Sequence, residues 1–155
     1  MPDEIRLRDV TEADLPILFE QQWDPEANRM AAFPARDWEA FTAHWAKILG
    51  DEILIAKVIL FNGQVAGNIM SFEKSGEPLV GYWIGRQFWG KGIATKALSE
   101  FLGQVETRPV YAHVAKHNKA SIRVLEKCGF TLFAEGQEIS GPGGEKVEEL
   151  ILVAR

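Results

Sequence analysis

The sequence has few of the features that mark secreted, membrane-spanning or nucleic-acid-binding proteins. Cys128 is the only cysteine among 155 residues, so the chain cannot form an internal disulfide, which suits a reducing cytoplasm. The longest apolar stretch, residues 53–61, contains Lys57 and has the length of a strand rather than of a membrane span. The first residues are polar and do not resemble a secretory signal. We therefore expect a cytoplasmic protein that does not enter a membrane.

Basic patches and metal-ligand patterns are equally scarce. The chain has 17 basic and 22 acidic side chains, a formal net charge of −5, and no basic stripe of the kind that nucleic acid attracts. No group of histidines and cysteines has the spacing of metal ligands, so we expect no metal. Cys128 lies in a helical apolar pattern just before Gly129, which favours a buried packing role over a nucleophilic one. A mildly acidic surface would tolerate a cationic substrate but not a nucleic acid.

The apolar patterns of the first third predict the start of one α/β domain, which we place over residues 1–155 because this length suits one core. A strand comes first, and a helix capped by Thr11 follows. Residues 22–34 are predicted to form a loop. Asp37 is predicted to cap a second helix. The tryptophans of that helix are expected in the core: Trp38 and Trp45.

The remaining pattern adds strands and two further helices. Asn62-Gly63 joins two strands and is a strong signal for a tight hairpin, and Glu77-Pro78 opens a third strand. A helix capped by Asn118 and ended by Gly129 follows later, and a final hairpin is predicted around residues 141–144. The order β-α-α-β-β-β-α-β-α-β-β predicts a mixed, mostly antiparallel sheet flanked by helices.

Residues 81–95 carry the most informative pattern, in which a strand, a short loop with Gly90 and Gly92, and a long helix follow one another. The N-terminus of a helix exposes unpaired N–H groups and the positive end of the helix dipole. Glycines let a phosphate approach the backbone closely. This combination indicates a pyrophosphate site, although an ordinary strand-to-helix turn would explain the glycines equally well.

Two nucleotide-binding motifs fit the same segment less well. Gly85 to Lys91 match the first seven positions of a P-loop, but Gly92 stands where a magnesium-binding serine or threonine is required. The hydroxyl of Thr95 is out of register, and no acidic metal ligand is evident at a strand end. A dinucleotide-binding fingerprint fails because Thr95 occupies the place of its third small residue.

Two segments together resemble the GNAT N-acetyltransferase superfamily. The first, Gln87-Phe88-Trp89-Gly90-Lys91-Gly92, is similar to that family's acetyl-CoA motif, Q/R-x-x-G-x-G/A. The second, residues 118–130, is similar to a family helix that ends in a lysine and Gly-Phe. The strand Tyr82-Trp83-Ile84, the Trp-Gly-Lys-Gly turn and the Asn-x-x-Ser pair look most like the branch that acetylates the N-termini of ribosomal proteins. The motifs lie within residues 80–130, and the element order fits the whole chain.

The resemblance implies acetyl-CoA as cosubstrate and assigns binding roles. Backbone N–H groups from Gln87 to Ala94 would hold the pyrophosphate, and the exposed backbone of Trp83 and Ile84 would pair with the pantetheine arm. Asn118 would contact the cosubstrate near its thioester, although a plain helix cap is an alternative for this residue. The residues that this resemblance implies for cosubstrate binding are Trp83, Ile84, Gln87, Phe88, Trp89, Gly90, Lys91, Gly92, Ile93, Ala94, Thr95 and Asn118.

The proton donor for the leaving thiolate is left open by a departure from the family. Many members carry a tyrosine near the middle of the second helix, where this chain has Leu125. Ser121, which the resemblance places near the sulfur, could donate instead, as could Tyr82 from the strand or a water molecule. We therefore predict a catalytic set of Ser121, Asn118 and Tyr82.

The acceptor amine must reach the thioester as a neutral nucleophile. An α-amino group, with a pKa of ~7.7–8.0, is partly neutral near pH 7.5, so a weak base suffices for it. Three residues in or beside the strands are candidates for that base, each with a structural role as the simpler reading: Glu73, Glu77 and His113. Asp24 and Glu26, in the predicted loop, could attract a cation or could be ordinary solvated charges.

The sequence thus predicts transfer of an acetyl group from acetyl-CoA to a primary amine, either on a small molecule or at a peptide N-terminus. The reaction would proceed by direct attack in a ternary complex. The alternative is a non-catalytic acyl-CoA-binding module, which would keep the glycine turn without the chemistry near Ser121. The sequence leaves the oligomeric state open between a monomer and a homodimer.

Overall fold

A computed structural model describes residues 3–136 and 138–155, which form five α-helices and nine strands. The helices are α1 (Leu15–Gln22), α2 (Pro25–Ala31), α3 (Trp38–Leu49), α4 (Ile93–Leu102) and α5 (Lys119–Lys127). The strands are β1 (Ile5–Asp9), β2 (Ile55–Phe61), β3 (Gln64–Lys74), β4 (Glu77–Ile84), β5 (Val110–Ala115), β6 (Thr131–Glu135), β7 (Ile139–Ser140), β8 (Lys146–Val147) and β9 (Glu149–Ala154).

The main sheet has the order β1-β2-β3-β4-β5-β9-β6. Its strands are antiparallel to their neighbours except at β4 and β5, which run parallel. Within the described residues, β4 and β5 pair only at Leu79 and Tyr111, and beyond this pair the two strands separate. The prediction of an α/β fold with a mixed, mostly antiparallel sheet flanked by helices is confirmed.

Helices cover both faces of the sheet. On one face, here called the α4/α5 face, α4 and α5 pack on side chains that include Ile69, Ala112 and Leu152, all at most 3% exposed. On the other, here called the α1/α3 face, α1 and α3 pack on Val58 of β2. Burying these apolar faces contributes most of the stability of such a layered domain, at about 25 cal/mol per Å². The layers hold β4 and β5 in place around the gap between them.

Local capping and turn signals are confirmed. Asp37 accepts a hydrogen bond from the Ala40 N–H at 2.8 Å and so caps α3. Asn62 and Gly63 have φ values of 50° and 83°, as a tight turn between β2 and β3 requires. Gly129 ends α5 with a φ of 93°.

Two expectations need correction, and a third is confirmed in a modified form. Residues 22–34 are not a loop, because α2 begins at Pro25 after Asp24 accepts a hydrogen bond from the Glu26 N–H at 3.1 Å. Trp38 is not a core residue: it is 47% exposed, whereas Trp45 is 4% exposed. The predicted final hairpin is present around residues 141–144, in two separate antiparallel ladders. β6 pairs with β9, and β7 and β8 form a separate two-stranded sheet in between.

In the described part of the chain, no helix is both long enough and apolar enough to cross a membrane.

Candidate active site

A cleft of about 460 Å³ opens where β4 separates from β5. Its walls are the end of β4, the turn that leads into α4, the first turns of α5, and one side of α2. The cleft is lined by Ala27, Met30, Ala31, Tyr82, Trp83, Ile84, Phe88, Trp89, Gly90, Gly92, Ile93, Ala94, Thr95, Asn118, Ala120, Ser121, Arg123, Val124 and Lys127. This ligand-sized space lies beside the end of β4, beyond the point where β4 pairs with β5.

Most of the residues predicted for the site line this one cleft. The predicted residues found there are Tyr82, Trp83, Ile84, Phe88, Trp89, Gly90, Gly92, Ile93, Ala94, Thr95, Asn118 and Ser121. Gln87 and Lys91, also predicted for the site, are exposed and are not among the residues that line the cleft.

The glycine turn has the geometry of an anion site. Gly90 and Gly92 have φ values of 76° and 73°, a conformation that side chains with a Cβ rarely adopt. Apart from the glycine itself and its two neighbours in the chain, no heavy atom lies within 4 Å of the position that a Cβ on either glycine would occupy. Gly92 is the residue before the ten-residue helix α4, whose first N–H groups have no partners within the helix and lie at the positive end of its dipole. This donor set and the open space fit a pyrophosphate.

Two hydrogen bonds from tryptophans fix the strand that enters this turn. The Trp89 indole donates to the carbonyl oxygen of Ile84 at 2.9 Å, which folds the turn back over the end of β4. The Trp83 indole donates to the carbonyl oxygen of Gln21 at 3.0 Å, on the other side of the sheet. In the backbone of Trp83 and Ile84, which is predicted to pair with the pantetheine arm, the Ile84 carbonyl thus already accepts a bond from within the chain.

Gly67 brings β3 unusually close to this part of β4. A Cβ on Gly67 would overlap the carbonyl oxygen of Trp83. The two strands pair here, with Gly67 opposite Ile84 and a register shift nearby in β2 between Ile59 and Leu60. A glycine is therefore required to hold the cleft-lining end of β4 in its observed position.

Tyr82 and Ser121, two of the candidate proton donors, form one hydrogen-bonded pair. The Tyr82 Oη and Ser121 Oγ atoms lie 2.6 Å apart, with Tyr82 on β4 and Ser121 in the first turn of α5. Asn118 Oδ1 accepts a hydrogen bond from the Ser121 N–H at 3.3 Å, so this residue caps α5 and also orients the serine. Burial raises the pKa of Tyr82 to about 12, against the opposing effect of its hydrogen bond with Ser121. The phenol is therefore a neutral proton donor near pH 7.

Two other residues singled out in the sequence lie outside the cleft. Leu125 is 2% exposed and belongs to the core beneath α5. Cys128 is half-buried rather than fully buried, and its Sγ donates to the carbonyl oxygen of Thr95 at 3.4 Å. Burial raises the pKa of this thiol, which disfavours the reactive thiolate.

Helix α2 supplies cleft residues that the sequence patterns did not identify. The small residues Ala27 and Ala31, with Met30, face the cleft. Two contacts tie α2 to the rest of the site: Asp24 to Arg86 at 3.3 Å, and His117 Nε2 to the carbonyl oxygen of Arg29 at 2.8 Å. Asp24-Pro25 and the spacing of the aliphatic residues were the sequence signals for this helix. With only seven residues, the helix is too short for its apolar spacing to be recognised.

The two acidic residues considered for cation binding have partners within the chain. Besides Arg86, Asp24 accepts a bond from the backbone of Glu26, and the Glu26 carboxylate pairs with Arg29. The Arg29 guanidinium lowers the pKa of Glu26. Trp23, next to them, is 52% exposed and stacks on Phe19, with 5.5 Å between ring centroids. Arg86 and Arg29 thus pair with these two carboxylates, and among the described residues Asp24 Oδ2 is buried without a hydrogen-bond partner.

The three base candidates lie on β3, β4 and β5, and none of them lines the cleft. Glu77 and His113 come together, with 3.0 Å between Glu77 Oε1 and His113 Nε2, while Glu73 is exposed on β3. Glu149, which the sequence did not suggest, lies 3.0 Å from the other ring nitrogen. Among residues 3–136 and 138–155, no group of three or more His, Cys, Asp or Glu side chains is arranged to hold a metal ion.

Comparisons with known proteins give one family and one fold. A family model described as an acetyltransferase (GNAT) domain matches residues 4–131. An acetyltransferase of the GNAT family from Bacillus anthracis has a TM-score of 0.80 at 17% identity, over 96% of this chain and 93% of that chain. Ribosomal-protein-alanine N-acetyltransferase from Brucella melitensis has a TM-score of 0.79 at 22% identity, over 96% and 98% of the two chains.

A third structure includes bound molecules. Spermidine N-acetyltransferase from Vibrio cholerae, in complex with CoA and spermine, has a TM-score of 0.79 at 17% identity, over 96% of this chain and 95% of that chain. No curated protein matches the chain significantly. At these identities the structural likeness establishes the fold, while the family model establishes the family.

Proposed function

The chain belongs to the GNAT acetyltransferase family, and from this premise we propose that residues 1–155 form one N-acetyltransferase domain that transfers the acetyl group of acetyl-CoA to a primary amine. The observation that supports this most is the cleft itself, which has an anion-binding turn at one end and the Tyr82–Ser121 hydroxyl pair beside it. The proposed acceptors are a peptide N-terminus or an amine-bearing small molecule.

Acetyl-CoA supplies a thioester that is already activated toward nucleophiles, so the protein has to provide mainly position and proton transfer. The first N–H groups of α4 and the turn through Gly90 and Gly92 bind the pyrophosphate. The edge of β4 after Leu79, which β5 leaves uncovered, orients the pantetheine arm. Gly67 and the Trp89–Ile84 bond hold that edge in place.

Tyr82 and Ser121 serve the leaving group. The α5 N-terminus, with its dipole, favours negative charge developing at the sulfur, and the hydroxyl pair donates the proton that the thiolate takes up. Because the pKa of Tyr82 is about 12, the pair stays protonated over the range in which amines become nucleophilic. Asn118 keeps Ser121 in this orientation.

We also propose the branch of the family, and with it the class of acceptor. The motifs resemble the branch that acetylates the N-termini of ribosomal proteins, and one relative in fold is a ribosomal-protein-alanine N-acetyltransferase. Another relative acts on spermidine, a small polyamine. We favour a peptide N-terminus as acceptor because its amine is partly neutral near pH 7.5, which asks least of a base.

Binding and turnover test this proposal separately. Calorimetry should show CoA binding in the micromolar range and far weaker binding of Mg-ATP and NAD. A thiol-release assay with acetyl-CoA across peptides, polyamines, amino acids and aminoglycosides should show turnover with at least one class. Tight Mg-ATP binding without CoA binding would contradict the proposed cosubstrate. CoA binding without turnover on any amine would favour an acyl-CoA-binding module.

A further inference from the structure

Two basic side chains line the cleft and take no part in the transfer as described so far. Arg123 and Lys127 stand four positions apart on α5, so they lie on one face of that helix. Both residues are exposed. Among residues 3–136 and 138–155, no carboxylate forms a salt bridge with either of them, although the chain has more acidic than basic side chains. This wall of the cleft therefore carries two positive charges that no described carboxylate neutralises.

Helix α5 extends from the hydroxyl pair to the glycine turn. Ser121, in its first turn, belongs to the hydroxyl pair. At the other end of α5, Cys128 Sγ donates to the carbonyl oxygen of Thr95, which lies in the first turn of α4. A helix rises about 1.5 Å per residue, so Ser121 and Cys128 stand about 10 Å apart along the axis. Lys127 therefore lies at the end of the cleft that holds the anion site, and Arg123 lies about one turn closer to the hydroxyl pair.

CoA carries a second anionic group besides its pyrophosphate. The ribose bears a 3′-phosphate, a monoester with a charge of about −1.5 to −2 at pH 7. The ribose follows the pyrophosphate in the covalent order of CoA, so it must lie beyond the glycine turn, at the end of the cleft where Lys127 stands. The N–H groups at the start of α4 are few and suit the pyrophosphate. The 3′-phosphate therefore needs cations of its own.

The two side chains have the chemistry that a phosphate monoester requires. A guanidinium binds phosphate oxygens through two parallel N–H···O bonds, and an ammonium binds them as a compact point charge. The Cβ atoms of residues four apart on a helix are about 5–6 Å from each other, so both charged ends can meet on one phosphate. Arg123 and Lys127 thus form a matched pair at the rim of the cleft.

We propose that Arg123 and Lys127 bind the 3′-phosphate of acetyl-CoA and so select this cosubstrate over thioesters that lack the phosphate. This inference rests on the proposed function, because it assigns a further contact to the same cosubstrate. The pair takes no part in bond making or breaking. Its contribution is to the affinity for acetyl-CoA and to the discrimination between acetyl-CoA and related acyl carriers.

The test is calorimetry with CoA and with dephospho-CoA, which keeps the pyrophosphate but lacks the 3′-phosphate. Wild-type protein should bind CoA about 10- to 100-fold more tightly than dephospho-CoA, the range expected for hydrogen bonds to a charged group. Arg123→Gln and Lys127→Gln should each weaken CoA binding by about tenfold and leave the affinity for dephospho-CoA unchanged. The double variant should bind the two ligands with equal affinity.

Lys119→Gln is the matched control, because Lys119 carries the same charge on α5, is exposed and does not line the cleft. This variant should bind both ligands as wild type does, and thermal melting should show that every variant is folded. Equal affinity of wild type for the two ligands overturns the inference, as does discrimination that persists in the double variant.

A variant that loses affinity for both ligands by the same factor also overturns the inference, because its cation then acts on the pyrophosphate. These results leave the proposed acetyl transfer standing. Failure of the wild-type protein to bind either ligand contradicts the proposed cosubstrate itself.

Discussion

Removing either hydroxyl of the Tyr82–Ser121 pair should lower kcat by roughly ten- to hundredfold while leaving acetyl-CoA binding nearly unchanged. The factor lies at the low end of general-acid effects because a thiol with a pKa of ~8.5 is already a tolerable leaving group as its anion. In free energy the loss is about 1.4 to 2.7 kcal/mol, at about 1.36 kcal/mol for each tenfold.

The 2.6 Å separation of the two oxygens adds a sharper expectation. If the hydroxyls form one relay, breaking it at Tyr82 or at Ser121 abolishes the same step. The double variant Tyr82→Phe with Ser121→Ala should then lose no more than the worse single variant, which is the signature of strongly coupled residues. Because the pKa of Tyr82 is about 12, its ionisation should not lower kcat between pH 7 and pH 10.

Single-turnover thiol release, measured at saturating acetyl-CoA, is the assay. Tyr111→Phe is the matched control, because Tyr111 is the other tyrosine of the chain and packs against Phe133 on β6, away from the cleft. The hydrogen bond itself is worth only about 0.5–1.5 kcal/mol, so the variants should remain folded. Losses that multiply in the double variant would show that the hydroxyls act independently. Full activity in both single variants would assign the proton to water.

Three further changes have definite expected outcomes. Gly92→Val should abolish CoA binding with the fold intact, because its φ of 73° disfavours a branched residue and the side chain would enter the anion space; unchanged affinity by calorimetry would show that the turn is only structural. Gly67→Ala should lower the free energy of unfolding by about 1–3 kcal/mol through its clash with the Trp83 carbonyl, and normal stability in urea would contradict this. Asp14→Asn should cost about 1–3 kcal/mol at pH 7, because the buried Asp14 carboxylate accepts two bonds from Arg8 at 2.8 Å. Arg8 lowers the pKa of Asp14, so this stabilisation is present above the unfolded-state pKa of ~3.9 and is lost as the pH falls below it; a difference that persists undiminished at pH 2 would refute the reasoning.

Features that depend on neighbouring residues were predictable from the sequence. Caps at Asp37 and Asn118, the turn at Asn62-Gly63 and the stop at Gly129 all follow from side chains and dihedral preferences within four residues. The sheet class followed from the order of these elements.

Features that depend on residues distant in the chain could not be predicted from the sequence. Helix α2 is short, and it is held by contacts to two residues far from it in the sequence, Arg86 and His117. The exposure of Trp38 also depends on distant residues. A helical pattern indicates which face of the helix a residue lies on, but not whether other parts of the chain cover that residue.

The candidate site divides in the same way. The glycine turn could be read locally, and the family resemblance pointed to Asn118, Ser121 and the β4 strand. The pairing of Tyr82 with Ser121 joins residues 39 apart in the sequence, and that of His113 with Glu149 joins residues 36 apart. No local pattern encodes such pairs. The roles of these residues stay predictions until the variants are measured.

The single pair that joins β4 to β5 has a consequence for how a ligand affects the whole molecule. The sheet consists of two separately bonded halves, β1 to β4 on one side and β5, β9 and β6 on the other, that meet along one short seam. A ligand that contacts both halves of the sheet would hold them together. Because it binds only the folded protein, it would raise the free energy of unfolding and the melting temperature. At a ligand concentration 100 times Kd, this linkage is worth about 2.7 kcal/mol. The melting temperature of the protein therefore reports whether a ligand occupies the cleft, and this measurement does not require a known acceptor amine.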